Sequence, residues 1–142
     1  MKIRKYLTLS DAKIIAAACE TEALHQNWAV TIAIADEGGH LLWLQRLDGA
    51  PLISMDIASG KARTAATGRR PTKSFADRIA GGETQVLSMP GGLTFLEGGE
   101  PVVIDGECVG AVGVSGVRSG EDAQIARHGI SVFIEQLNRS NG

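Results

Sequence analysis

Residues 101–116 read PVVIDGECVGAVGVSG: two β-prone runs, Pro101–Ile104 and Glu107–Val114, joined by Asp105-Gly106. Asp-Gly between apolar runs is a strong short-range hairpin signal, so these strands are antiparallel neighbours. The second run is lean, with Gly110 and Gly113 inside it and Gly116 just beyond Ser115. Glycine weakens a strand, and the usual return is a bulge or the close approach of another backbone or a ligand. Strict alternation puts Val109, Ala111, Gly113 and Ser115 on one face, with Cys108, Val112 and Val114 behind. Two occupants suit the lean face, and they can hold together: the alanines of the first helix, or a ligand at the strand end. There, Ser115 and the N–H groups of the Ser-Gly turn are available as donors.

The rest of the chain surrounds this hairpin with helices. Thr8 and Asp11 form a capping pair before a helix over Leu9 to His25. Ala12, Ile15, Ala16, Cys19 and Ala23 make its core stripe, while Ile14, Ala18, Thr21 and His25 form a second, weakly apolar strip suited to an oligomer interface. Val30–Ala35 and Leu41–Leu47 read as strands joined by the glycine-rich DEGGH turn, and the second is apolar on both faces, so both should be covered. A helix follows over 54–67, with Met55, Ile57, Ala58, Ala62 and Ala65 on one side and Lys61 among them, a lysine that either snorkels or meets an anion. Residues 68–99 are irregular apart from a short helix over Thr72–Ala80, and so long a loop region is usually functional or shared between subunits. A last helix runs from Glu121 to Leu137 on Ile125, Ala126, Gly129, Ile130, Phe133 and Leu137, leaving His128 off the stripe. This order predicts one α+β domain over 1–142, with an antiparallel sheet and helices on its faces.

Several chemistries are excluded or disfavoured. Fourteen basic against 16 acidic residues give a net charge of −2, which argues against a nucleic-acid partner. No apolar run is long enough for a bilayer crossing, and Met1–Leu9 lacks the apolar core of a signal peptide, so the expectation is a cytoplasmic protein with no membrane partner. Cys19 and Cys108 have no CxxC spacing and read as buried reduced thiols. There is no GxxxxGK[ST], no GxGxxG and no GxSxG. His25, His40 and His128 lack helix-borne metal spacing, so no metal site is expected. No nucleophile, base and orienting acid can be named from linear spacing.

RLDGA at 46–50, KARTA at 61–65, GGEP at 98–101 and DGECVGAVGVSG at 105–116, followed by Asp122 and Ala126, occur in one order. That order resembles the GlcG-type haem-binding family, whose relatives include the HbpS proteins and the C-terminal domain of PduO-type proteins. The resemblance spans nearly the whole chain and implies a three-layer α/β/α, profilin-like fold with a central antiparallel sheet. It also implies homo-oligomers, commonly octamers. Some members bind haem in a crevice between subunits, and some relatives process small muconate-type acids, so fold alone does not fix function.

Carried onto this chain, Arg46 and Asp48 match the Arg-x-Asp-Gly-Ala motif, Lys61 the helix motif and Ser115-Gly116 the strand-end turn. Arg46 and Lys61 suit carboxylates, either haem propionates or a small organic acid, or else internal ion pairs with Asp48 or Asp122. His25 is the candidate axial haem ligand. The leading expectation is a non-enzymatic, oligomeric protein for haem or a related tetrapyrrole. Its rival is an enzyme of small-acid catabolism in which Ser115 and adjacent N–H groups steady an oxyanion; the aromatic content of only 4% keeps that rival open. A structural partner without a ligand of its own is the third option.

Overall fold

The computed structural model describes residues 1–141. Helix α1 spans Leu9–His25, strands β1 and β2 span Thr31–Asp36 and Leu41–Arg46, and α2 spans Ser54–Gly68. Helix α3 follows at Thr72–Ala80, then a short 3-10 turn at Thr84–Ser88, β3 at Gly99–Ile104, β4 at Glu107–Ser115 and α4 at Ser119–Asn141. The four strands form one antiparallel sheet in the order β2-β1-β4-β3. Helices α1 and α4 cover one face and α2 the other, giving the three layers and the α+β class expected from the sequence.

Local chemistry sets these boundaries. The Thr8 hydroxyl accepts from Asp11 N at 3.1 Å and Asp11 Oδ2 accepts from Thr8 N at 2.9 Å, a reciprocal capping box that starts α1. The helix stops at Asn27, which adopts φ +60° while Trp28 N donates to Ala23 O at 2.8 Å. Asp105 and Gly106 both have positive φ, 51° and 79°, as the tight β3–β4 turn requires.

The two faces of the sheet carry different cores. Under α1 and α4 lie Ile15, Cys19, Ile32, Val112, Ile125 and Phe133. Under α2 the core is almost wholly alanine: Ala33, Ala35 and Ala111 against Ala58, Ala62 and Ala65. The lean face of β4 is therefore packed by the second helix, not the first. A Cβ at Gly113 would stand 2.1 Å from Ala58 O and 2.5 Å from Ala62 N, so glycine there lets the α2 backbone touch the strand.

A bulge corrects the alternation read from the sequence. Val102 pairs with Gly110 and Val103 with Cys108, leaving Val109 without a partner. Val109 consequently joins the α1/α4 core instead of lying beside Ala111. Gly110 also faces that layer, because a Cβ on it would meet Leu7 Cδ1 at 2.6 Å and Ala35 O at 2.4 Å.

Cys19 is buried, and burial pushes its thiol up to about 12. Cys108 is only half-buried, contrary to expectation, and both thiols are free. Edge strand β2 is half-covered: Leu44 packs on the alanine layer, while Trp43 lies below the Lys13 ammonium, 5.6 Å from its ring centre. The long connection 88–98 runs along the outside of α2, where Arg63 Nε donates to Gly91 O at 2.7 Å and Thr94 N to Thr64 Oγ1 at 2.7 Å. No helix among the described residues is long and apolar enough to cross a membrane.

Candidate ligand site at the sheet end

Strand pairing brings three of the relevant residues into one row. Arg46 lies opposite Thr31, and Thr31 lies opposite Ser115. Directly paired residues share a face, and the row two residues along, Leu44–Ala33–Gly113, packs on α2. The Arg46–Thr31–Ser115 row is therefore on the α2 face, at the end of the sheet where α2 begins. Thr31 Oγ1 and Ser54 Oγ are 2.7 Å apart, and Ser54 Oγ donates to Pro51 O, so the floor of the row is a buried hydroxyl chain tied to the first turn of α2. Ser115 is 6% exposed. Arg46 is exposed, and its guanidinium makes no ion pair among the described residues. Six and seven residues further along the chain, where α2 opens, Leu52 and Ile53 are 78% and 65% exposed.

Gly116 has φ +147°, and a Cβ there would stand 2.5 Å from Ala29 O. The strand end thus presses against the chain that enters β1. Asp48 is exposed in the turn after β2 and lines a cleft of about 380 Å³ with Glu20, Leu24, Trp28 and Leu47. Neither Arg46 nor Lys61 is paired with it.

Lys61 is placed differently. Its side chain is 2% exposed and that of Asp122 is 3%. The ammonium donates to Asp122 Oδ2 and to Val114 O, each at 2.9 Å, so of the roles open to Lys61 the fold contains the internal ion pair with Asp122. Asp122 Oδ1 also accepts from Val117 N at 3.1 Å. Burial pushes the Asp122 carboxyl above the usual range, and Lys61 and the Val117 N–H pull it back only in part. The glycines of GGEP make room for this pair: a Cβ at Gly98 would stand 2.6 Å from Lys61 Nζ, and one at Gly99 would stand 2.4 Å from Lys61 O.

His25 ends α1 with its side chain 80% exposed, 3.9 Å from Glu22 Oε1. It sits on α1, on the other face of the sheet from the row that holds Arg46. Of its outer strip, Ala18 is buried and Ile14 half-buried, while Thr21 and His25 face outward. Among the described residues no cluster of three or more His, Cys, Asp or Glu could hold a metal ion.

Sequence reasoning missed the Thr31–Ser54 floor and a second buried carboxylate, Glu100. Arg127 Nη1 is 3.2 Å from Glu100 Oε1, yet burial still raises the Glu100 carboxyl above its ordinary value. No linear spacing announces either feature. Both depend on how a helix docks on the sheet, α2 on β1 and α4 on β3.

Residues 7–131 match the family described as "Haem degrading protein HbpS-like". Over 115 residues the chain is 50% identical to Protein GlcG of Escherichia coli strain K12, covering 81% of this chain and 85% of that one. Its fold matches a crystal structure of a double mutant of HbpS from Streptomyces reticuli, with TM-score 0.86, 35% identity and coverage of 93% of this chain and 90% of that one. It also matches the crystal structure of a PduOC:heme complex, with TM-score 0.81, 25% identity and coverage of 90% and 95%.

Proposed function

The chain belongs to the HbpS-like family, and from that premise we propose that it is a haem- or tetrapyrrole-binding protein whose site is completed by a second copy of itself. The observation that carries the reading is Arg46, an exposed guanidinium with no acidic partner among the described residues, at a sheet end floored by hydroxyl groups where α2 opens with exposed Leu52 and Ile53. This combination suits a planar apolar ligand that carries carboxylates. Arg46 pairs with a propionate in the fork geometry that guanidinium offers, while Leu52 and Ile53 cover part of the ring. Ser115 and the Gly116 turn offer hydrogen bonds at the strand end, and Asp48 borders the same end.

The exposed His25 imidazole, on the other face of the sheet, would ligate the iron from a neighbouring copy, which would put the site between chains. A homo-oligomer is thus part of the function, with the family's octamer as the size to test. The bound group supplies the iron and the macrocycle; this chain's residues hold and orient them. The haem-complex relative supports this reading. Two free cysteines fit a reducing compartment, and we place the protein in the cytoplasm.

Titration with hemin, followed by absorbance and by light scattering on a sizing column, tests this directly. A sharp Soret band saturating at a fixed ratio in a defined oligomer is expected. His25→Ala should shift the band and Arg46→Ala should weaken binding without moving it. Equal spectra and affinities in both variants would remove these assignments. A featureless response in the parent protein, with small dicarboxylic acids protecting against thermal unfolding, would favour the organic-acid reading.

A further inference from the structure

We propose that Asp122 is a positioning residue for the ligand site: with Lys61 it clamps the Ser115–Gly116 strand end from both sides. The inference rests on the haem reading only for the ligand that the clamp serves. The geometry is bracketed along the chain. Lys61 Nζ holds the carbonyl of Val114, one residue before Ser115, and Asp122 Oδ1 holds the N–H of Val117, one residue after Gly116. The two side chains hold each other at 2.9 Å. Lys61 comes from α2 and Asp122 from the first turns of α4, so the strand end is fixed to both helical layers at once.

The residues between the two grips adopt a conformation that needs holding. Gly116 has φ +147° and presses on Ala29 O, and after it the chain leaves the sheet to start α4. Ser115 is placed within this bracket, in register with Thr31 and Arg46. A shift of the strand end would move its hydroxyl relative to the guanidinium without unfolding the sheet. Gly98 is part of the device, because any Cβ there would stand against the Lys61 ammonium.

Asp122→Asn is the informative substitution. A carboxamide fills the same space but offers one acceptor oxygen and a donor NH2. It cannot accept from both Lys61 and the Val117 N–H in the present geometry. Hydrogen exchange is measured first, on the unliganded protein. The Val117 amide, held by Asp122 Oδ1, should exchange about tenfold faster or more, while the Ile34 amide follows only the change in global stability. Hemin affinity is then compared at a temperature where every variant is folded. It should weaken roughly ten- to a hundredfold, the range expected when a hydrogen bond to a charged group is lost. Ile15→Val, a core change remote from the clamp, should lower stability and leave affinity unchanged.

Unaltered exchange at Val117 in Asp122→Asn would overturn the clamp, as would unchanged hemin affinity alongside faster exchange. Absence of hemin binding by the parent protein would overturn the haem reading alone, since the exchange result does not involve hemin. If Asp122→Asn does not fold, NMR on the parent protein decides. The groups facing Asp122 are Lys61 from α2, the Val117 N–H, and Glu121 on its own helix. The Asp122 carboxyl carbon and the Val117 amide should titrate with one midpoint, and independent midpoints would refute the coupling.

Discussion

Removing either member of the Lys61–Asp122 pair should cost more than removing both. At 2.9 Å, with side-chain exposures of 2% and 3%, the Coulomb attraction is about 6 kcal/mol at an effective dielectric constant of about 20. Against it stands a desolvation cost of several kcal/mol for each ion. The raised Asp122 carboxyl shows that burial outweighs what its partners return to the ionised form. Lys61→Met leaves a buried carboxylate with only the Val117 N–H, and Asp122→Leu leaves a buried ammonium with only the Val114 carbonyl. Each single change should therefore destabilise by about 3–5 kcal/mol. The double variant Lys61→Met/Asp122→Leu leaves only those two backbone groups unpaired, and should cost about 2–3 kcal/mol. Urea unfolding of the four proteins gives the coupling directly, with an osmolyte added to all four if a single variant is marginal. A coupling of roughly 5 kcal/mol is expected, and additive losses would refute the view that the pair is a buried, mutually dependent unit.

Gly113→Ala should destabilise by about 2 kcal/mol or more, because its Cβ would stand 2.1 Å from a carbonyl oxygen of α2 and backbone cannot yield as a rotamer does; thermal denaturation measures the loss. Thiol reagents should modify half-buried Cys108 and spare Cys19 in the folded protein, since burial holds the Cys19 thiol up to about 12; mass spectrometry of the labelled chain checks this. For Glu100, the folded carboxyl is raised above its ordinary value. The folded state then binds more protons than the unfolded one, so this contribution favours folding below the ordinary carboxylate value and is lost as pH rises through the raised one. Glu100→Gln should accordingly gain melting temperature relative to the parent as pH increases, and a constant offset across that window would sink the argument.

What could be read from the sequence was local. The Thr8–Asp11 capping pair, the Asp105-Gly106 turn, the α1 stripe and the thinning of β4 all follow from residue type and short spacing. Which helix lies on the thinned face does not, because periodicity identifies a face and says nothing of its partner. Alanine is abundant in both α1 and α2, and only the fold chooses between them. The bulge at Val109 was illegible for a related reason: it is a matter of register with β3, and one extra residue reverses the parity of everything before it. Lys61 was visible as an oddly placed cation, but its partner is 61 residues away and two candidate acids, Asp48 and Asp122, were equally compatible with the sequence.

The distribution of the motifs explains how a family can be recognised while its chemistry varies. KARTA contributes Lys61 and Thr64, GGEP contributes the two glycines against Lys61, and the β4 motif contributes the glycines under α2 and the strand end that the clamp holds. These contacts secure α2, β4 and α4 to one another, and of them only the Ser115–Gly116 strand end borders the proposed ligand site. The outer groups that would meet a ligand, Arg46, His25, Leu52 and Ile53, are exposed and loosely constrained by packing. Arg46 is the exception in belonging to a motif, RLDGA, while its guanidinium stays exposed and unpaired among the described residues. Substitution at the exposed positions can change what is bound without disturbing the alanine layer or the clamp. Selectivity among haem, other tetrapyrroles and small acids is therefore expected to follow the residues around Arg46 and across the chain–chain boundary, and not the buried motif residues.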